Sequence, residues 1–151
     1  MSMTSEALAN LARIGKIKAE PMNRAEIDRM LTMARTRLID ASHLQLSQEG
    51  RFTSTYNAIH AAALAALRWH GYRSENRYIV FQSLEHTLAW PASQWRVLDV
   101  AHQKRNLAEY EGFLEIEESA IAELRLLAEK LIADVNELIN ACDTYARNAR
   151  D

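Results

Sequence analysis

From about Glu115 onward the chain places Ile121, Leu124, Ala128, Leu131, Val135, Leu138, Cys142 and Tyr145 at alternating steps of three and four. That spacing keeps every apolar side chain on one face of an α-helix over more than three heptads. A long helix with an apolar stripe is stable only when the stripe is covered, so this one packs within a bundle or forms a dimer seam. Four Gly and two Pro in 151 residues leave little material for a β-sandwich or barrel, which needs a turn about every 8–12 residues. The fold class is therefore all-α. With 48% hydrophobic residues the chain holds enough apolar mass for one domain with a real core.

The upstream helices follow from capping residues and periodicity. Ser5 caps a short helix through about Ile14, Gly15 stops it, and Lys16 to Pro21 reads as a mobile linker. Residues 1–22 thus form a short N-terminal helix and linker ahead of a bundle spanning 23–151. Asn23 followed by Glu26 has the form of a capping box, and Ile27, Leu31, Ala34 and Leu38 stripe a helix from about Arg24 to Ala41. Ser47 opens the next helix, with Phe52, Tyr56, Ile59, Ala63 and Leu67 in helical period until Gly71. Its run HAAALAAL, residues 60–67, is small and apolar on several sides, as expected of a central helix. Tyr78 to Leu88 fits a short helix or a strand. Pro91 suits the first turn of a helix running through Trp95, Leu98, Val100 and Ala101 to Gly112. The sum is a bundle of four to five main helices.

Several function classes are excluded early. No uncharged stretch reaches 18 residues and MSMTSEALAN has no signal-peptide pattern, so a cytoplasmic protein without membrane contact is expected. Cys142 is the one cysteine, which rules out an intramolecular disulfide and predicts a buried, inert thiol. No GxxxxGK, GxGxxG, HExxH, CxxC or GxSxG pattern occurs. Asp40 with His43 and Asp99 with His102 are D-x-x-H pairs, but the further helix-borne Glu ligands of a di-iron bundle are missing, and no metal or cofactor is expected.

The net charge of −2 conceals a polarity. Residues 1–110 carry 14 Lys and Arg against 10 Asp and Glu, whereas residues 111–151 carry 4 against 10. Arg68, Arg73, Arg77, Arg96, Lys104 and Arg105 fall in the middle third, and of these Arg73, Arg77, Lys104 and Arg105 are the candidate phosphate and nucleic-acid contacts. His60, His70, His86 and His102 lie near this region, and Trp69, Trp90 and Trp95 read as core residues more readily than as stacking platforms. The most unusual local composition is HQKRNLAEYEG, residues 102–112. Arg105 and Glu109, four apart, form a surface ion pair on the structural reading. On the functional reading Arg105 and Asn106 make a donor-rich anion site with Tyr110 one turn on.

An Arg-Asn pair followed by a ring-bearing residue, here Arg105, Asn106 and Tyr110, before a long final helix resembles the HEPN superfamily. The resemblance extends to a bacterial branch with an RN-x-A-E/D-Y motif, preceded here by Leu46, Ser47, Arg51, Phe52, Thr55, Tyr56, Asn57, Ala58, Gly71, Tyr72 and Arg73; Thr55 stands where that pattern often has Ala. The resemblance covers about residues 24–136. It implies an up-and-down bundle that forms a homodimer, with the Arg motifs of both copies in a shared cleft. Many members are metal-independent ribonucleases of the toxin or defence type, often with a nucleotidyltransferase-like antitoxin, and others bind RNA or nucleotides or act as protein scaffolds. The site residues it implies are Arg105, Asn106 and Tyr110 as catalytic. Its nuclease pattern ends in a His for proton transfer; this chain has Tyr110 there, and a phenol is a poor general base at neutral pH. That departure argues against strong activity. His102, one turn before Arg105, is the other proton-transfer candidate, and Tyr110 is the candidate for modification by such a partner.

Overall fold

A computed structural model describes residues 3–113 and 115–150; the side chain of Tyr145, the last of the apolar stripe, lies outside the described residues. In chain order the elements are α1 (Met3–Arg13), β1 (Lys18–Ala19), α2 (Arg24–Asp40), α3 (Gln48–Trp69), β2 (Tyr72–Arg73), α4 (Arg77–Gln82), α5 (Leu84–Thr87), α6 (Ala92–Glu111) and α7 (Glu118–Arg150). The chain is an all-α helical bundle, apart from one antiparallel pair of two-residue strands. No helix among the described residues is long and apolar enough to cross a membrane.

α3 is the axis of the fold. Ser47 Oγ accepts from the Gly50 amide at 3.0 Å and caps it, and Gly71, at φ +85°, ends the turn beyond it in a conformation that side chains with a Cβ disfavour. Between these ends Phe52, Tyr56, Ala58, Ile59, Ala62, Ala65, Ala66 and Leu67 are almost wholly removed from water. The alanines let neighbouring helices approach closely, and α2 and α7 both pack along α3. α7 buries Ile121, Leu124, Ala128, Leu131, Val135 and Ile139. From Ile121 to Val135, therefore, the stripe is consumed inside the chain as a bundle face; Leu138 is half-buried, and its neighbour Ile139 takes the core position. Beyond that point Cys142 is exposed, a correction to the buried thiol expected from the stripe.

Other boundaries depart from expectation for local reasons. α1 starts at Met3, ahead of Ser5. Asn23 Oδ1 accepts from the Glu26 amide at 3.1 Å, but the Glu26 carboxylate turns to Arg68 and Arg73, so the capping box closes on one side only. Asn76 Oδ1 accepts from the Ile79 amide at 3.2 Å and starts the 78–88 segment as helix; α4 and α5 meet at Ser83. Pro91 is the residue before the first turn of α6, and Gly112, at φ +84°, ends that helix.

The largest difference concerns residues 16–21. β1 pairs with β2, matching Lys18 to Arg73 and Ala19 to Tyr72, and Leu8 and Ile17 are buried in the common core. Arg68, 1% exposed on α3, donates from Nη1 to the Glu20 carbonyl at 2.9 Å, from Nη2 to the Pro21 carbonyl at 2.8 Å and from Nε to Glu26 at 2.9 Å. A buried guanidinium needs all its donors met, and the segment expected to be a mobile linker supplies two of the acceptors. Trp90, buried, donates to Asp134 at 2.8 Å and ties the loop before α6 to α7.

Candidate functional site

Helical spacing brings the site together from three elements. Tyr56 and His60 are four apart on α3, His102 and Asn106 are four apart on α6 with Arg105 between them, and Arg77 is the first residue of α4. α3 and α6 face each other across Phe81, whose ring makes edge contacts with Tyr56, His60 and His102 at centroid distances of 6.2, 6.3 and 6.5 Å. The Tyr56 and His102 rings lie nearly parallel, 6.1 Å apart. Tyr56 itself is fully buried, which fixes the ring on which both arginines rest: Arg77 and Arg105 lie 5.5 and 5.3 Å from its centroid.

A chain of polar contacts runs through this group. Arg77 Nη1 donates to Tyr56 Oη at 3.0 Å, Tyr56 Oη lies 3.0 Å from His102 Nδ1, and Asn106 Nδ2 lies 3.2 Å from His102 Nε2. With the Asn106 amide donating to Nε2, the neutral ring carries its proton on Nδ1 and donates to Tyr56 Oη. That tautomer leaves the Nε2 lone pair on the edge of the imidazole beside exposed Asn106.

Electrostatics set the protonation states. Burial, with the neighbouring Arg77, His102 and Arg105 charges, pushes the His60 imidazole down to about 4. Burial and the Arg77 and Arg105 guanidiniums also lower His102, against a smaller opposing pull from Asp99. Burial raises the Tyr56 phenol, only partly opposed by Arg77. At neutral pH the cluster is thus two neutral imidazoles and a neutral phenol under two permanent cations, an arrangement that attracts an oxyanion and offers a base.

Of the residues singled out in the sequence, Arg77, His102, Arg105 and Asn106 meet here. Tyr110 does not: it is 92% exposed and makes no hydrogen bond, ion pair or ring contact among the described residues. Lys104 is exposed beside Val97, Val100 and Ala120 in a groove between α6 and α7. Arg73 stands in the other charged cluster, at 2.6 Å from both Glu20 and Glu26, where two carboxylates already satisfy it. His102 is the hub of the site, and Tyr56 and His60 were legible only as an i,i+4 pair on the central helix. Among the described residues no three His, Cys, Asp or Glu side chains stand close enough to hold a metal ion; Asp40 pairs with Arg37 and Asp99 with Gln103.

Beside the cluster, a cleft of about 320 Å³ opens between the start of α3 and the end of α6, with Arg105 on the wall shared by both. Arg105 Nη2 is 3.3 Å from the Glu109 carboxylate, itself largely exposed. No family model, curated protein or solved structure matches the chain.

Proposed function

We propose that the chain is a HEPN-like, nucleic-acid-acting protein of the up-and-down bundle type, working as a metal-independent endoribonuclease of the toxin or defence kind. The observation that carries this reading is the neutral His102 imidazole held within one cluster with the Arg77 and Arg105 guanidiniums. Two fixed cations can take the non-bridging oxygens of a phosphodiester, and a guanidinium does so with two parallel hydrogen bonds. His102 Nε2, displacing the Asn106 amide, takes the proton of the ribose 2′-hydroxyl; the 2′-oxygen bonds to phosphorus, the bond to the 5′-oxygen breaks, and water protonates the departing alkoxide. The products are a 2′,3′-cyclic phosphate and a 5′-hydroxyl. Asn106 and Tyr56 position the imidazole, and proton transfer is given to His102 in place of Tyr110. The reading brings with it the partners that the resemblance implies, a second copy of the chain and a nucleotidyltransferase-like antitoxin.

A second reading, an inactive HEPN-like domain that binds nucleic acid or scaffolds a protein, draws on Tyr110 at the motif's last position and on the Arg105–Glu109 pair. Incubation of wild type, Arg105→Ala and His102→Ala with total RNA and tRNA in EDTA separates the two. Cleavage by wild type that falls by about a hundredfold or more in both variants is the expected result. Equal background cutting in all three removes the nuclease, and salt-sensitive binding without cutting selects the second reading.

A further inference from the structure

The cleft beside Arg105 has no role in the chemistry above, and its lining is specific. Phe52 and Ala108 give it an apolar floor, while Glu49 and Glu109 stand at its rim. Glu109 is drawn toward Arg105, but the exposed Glu49 carboxylate has no ion pair or hydrogen-bond partner among the described residues. Glu49 and Tyr56 are seven residues apart on α3, about 10 Å along the axis at 1.5 Å per residue. A flexible single strand with its phosphate at Arg105 can therefore lay a neighbouring base in the cleft.

The geometry points to a base-binding subsite in this cleft, in which Glu49 reads the guanine base of a single-stranded RNA; this rests on the nucleic-acid reading above. The chemistry follows from donor patterns. A carboxylate accepts only. Guanine presents two parallel donors, N1–H and one N2–H, that match the two oxygens of a carboxylate. Uracil flanks its single N3–H with carbonyl oxygens, and adenine and cytosine set a ring-nitrogen acceptor beside the amino group, so each of these turns a lone pair toward Glu49. An apolar floor under a polar rim also suits a flat heterocycle.

The test is titration of wild type, Glu49→Gln and Arg105→Ala with the four nucleoside 5′-monophosphates, and with hexauridylate and the hexamer UUUGUU in 2′-O-methyl form, which has no 2′-hydroxyl to attack the phosphate and so is bound without being cut. In wild type, guanosine monophosphate should bind about tenfold more tightly than the other three, the gap that one matched carboxylate contact supports. The UUUGUU hexamer should bind more tightly than either guanosine monophosphate or hexauridylate. Glu49→Gln should bring guanosine monophosphate down to the level of the others while leaving hexauridylate unchanged. Equal affinities for all four monophosphates, with loss in Arg105→Ala, would remove the guanine subsite and leave the phosphate site standing. A guanosine monophosphate preference with no gain from the RNA hexamer would overturn RNA as the ligand and leave a free nucleotide. Absence of binding by every ligand would remove the nucleic-acid reading itself.

Discussion

Tyr56 and His60 owe their chemistry to burial: it keeps the phenol neutral and makes the imidazole respond to acid. His60 is held at about 4 in the folded chain against an ordinary value near 6.5, because the partly buried ring sits with Arg77, His102 and Arg105. Between these values the unfolded chain binds a proton that the folded chain does not, so stability falls as pH drops from 6.5 toward 4 and is flat above 6.5 on this account. The full effect is on the order of 3 kcal/mol, and urea unfolding at pH 7.0 and 4.5 should show a clearly larger loss in wild type than in His60→Gln, which keeps the acid sensitivity of His70, His102 and Glu118. The same acid sensitivity in both proteins would place its origin elsewhere. Arg105 and Asn106 could be found in the sequence because they are adjacent in an odd composition on one helix. Tyr56 and His102 could not be joined that way: 46 residues separate them, and only the packing of α3 against α6 around Phe81 makes them partners.

α7 shows what an element contributes when its pattern is clear. Leu131 lies in the middle of the stripe with no exposed surface, whereas Leu126, on the opposite side, is 67% exposed. Leu131→Ala should cost about 2–5 kcal/mol, the loss of buried methylenes plus the cavity left behind, and Leu126→Ala should stay within about 0.5 kcal/mol. Denaturant midpoints of the two variants check both figures, and comparable losses would mean that α7 does not seat on α3 by its stripe. The N-terminus of α7 is held separately: the Arg51 guanidinium, with Gln48, pushes the Glu118 carboxyl down to about 2 and joins the starts of α3 and α7. Long periodic elements such as α2, α3 and α7 were legible because their side-chain spacing is dictated by the helix itself. The 78–88 segment was not, since Ile79, Val80, Leu84 and Leu88 in eleven residues fit either period, and Asn76 and Ser83 decide it through local hydrogen bonds.

At the scale of the whole molecule, the N-terminal 22 residues decide whether the chain behaves as a bundle with an appendage or as one unit. Composition favoured the appendage, because Gly15, Lys16, Lys18, Glu20 and Pro21 make a polar, turn-rich stretch. The buried Arg68 reverses that. Its guanidinium is satisfied only when the Glu20 and Pro21 carbonyls are in place, and Leu8 and Ile17 are buried in the common core. Arg68 is 1% exposed in the full chain, and removing residues 1–22 takes away the Glu20 and Pro21 carbonyls, leaving Glu26 and a 3.4 Å contact to the Tyr72 carbonyl as its partners. A buried charge stripped of partners typically costs several kcal/mol, so the truncated chain should melt about 10 °C or more below the full chain, or fail to fold. The full chain should unfold in a single transition, with calorimetric and van't Hoff enthalpies equal. A truncated chain that keeps the parent melting temperature would make the segment an appendage after all. Adding Arg68→Met to that truncation separates the two contributions, because an apolar side chain of similar length needs no carbonyls: recovery of part of the lost stability assigns that part to the orphaned charge, and the remainder belongs to Leu8 and Ile17.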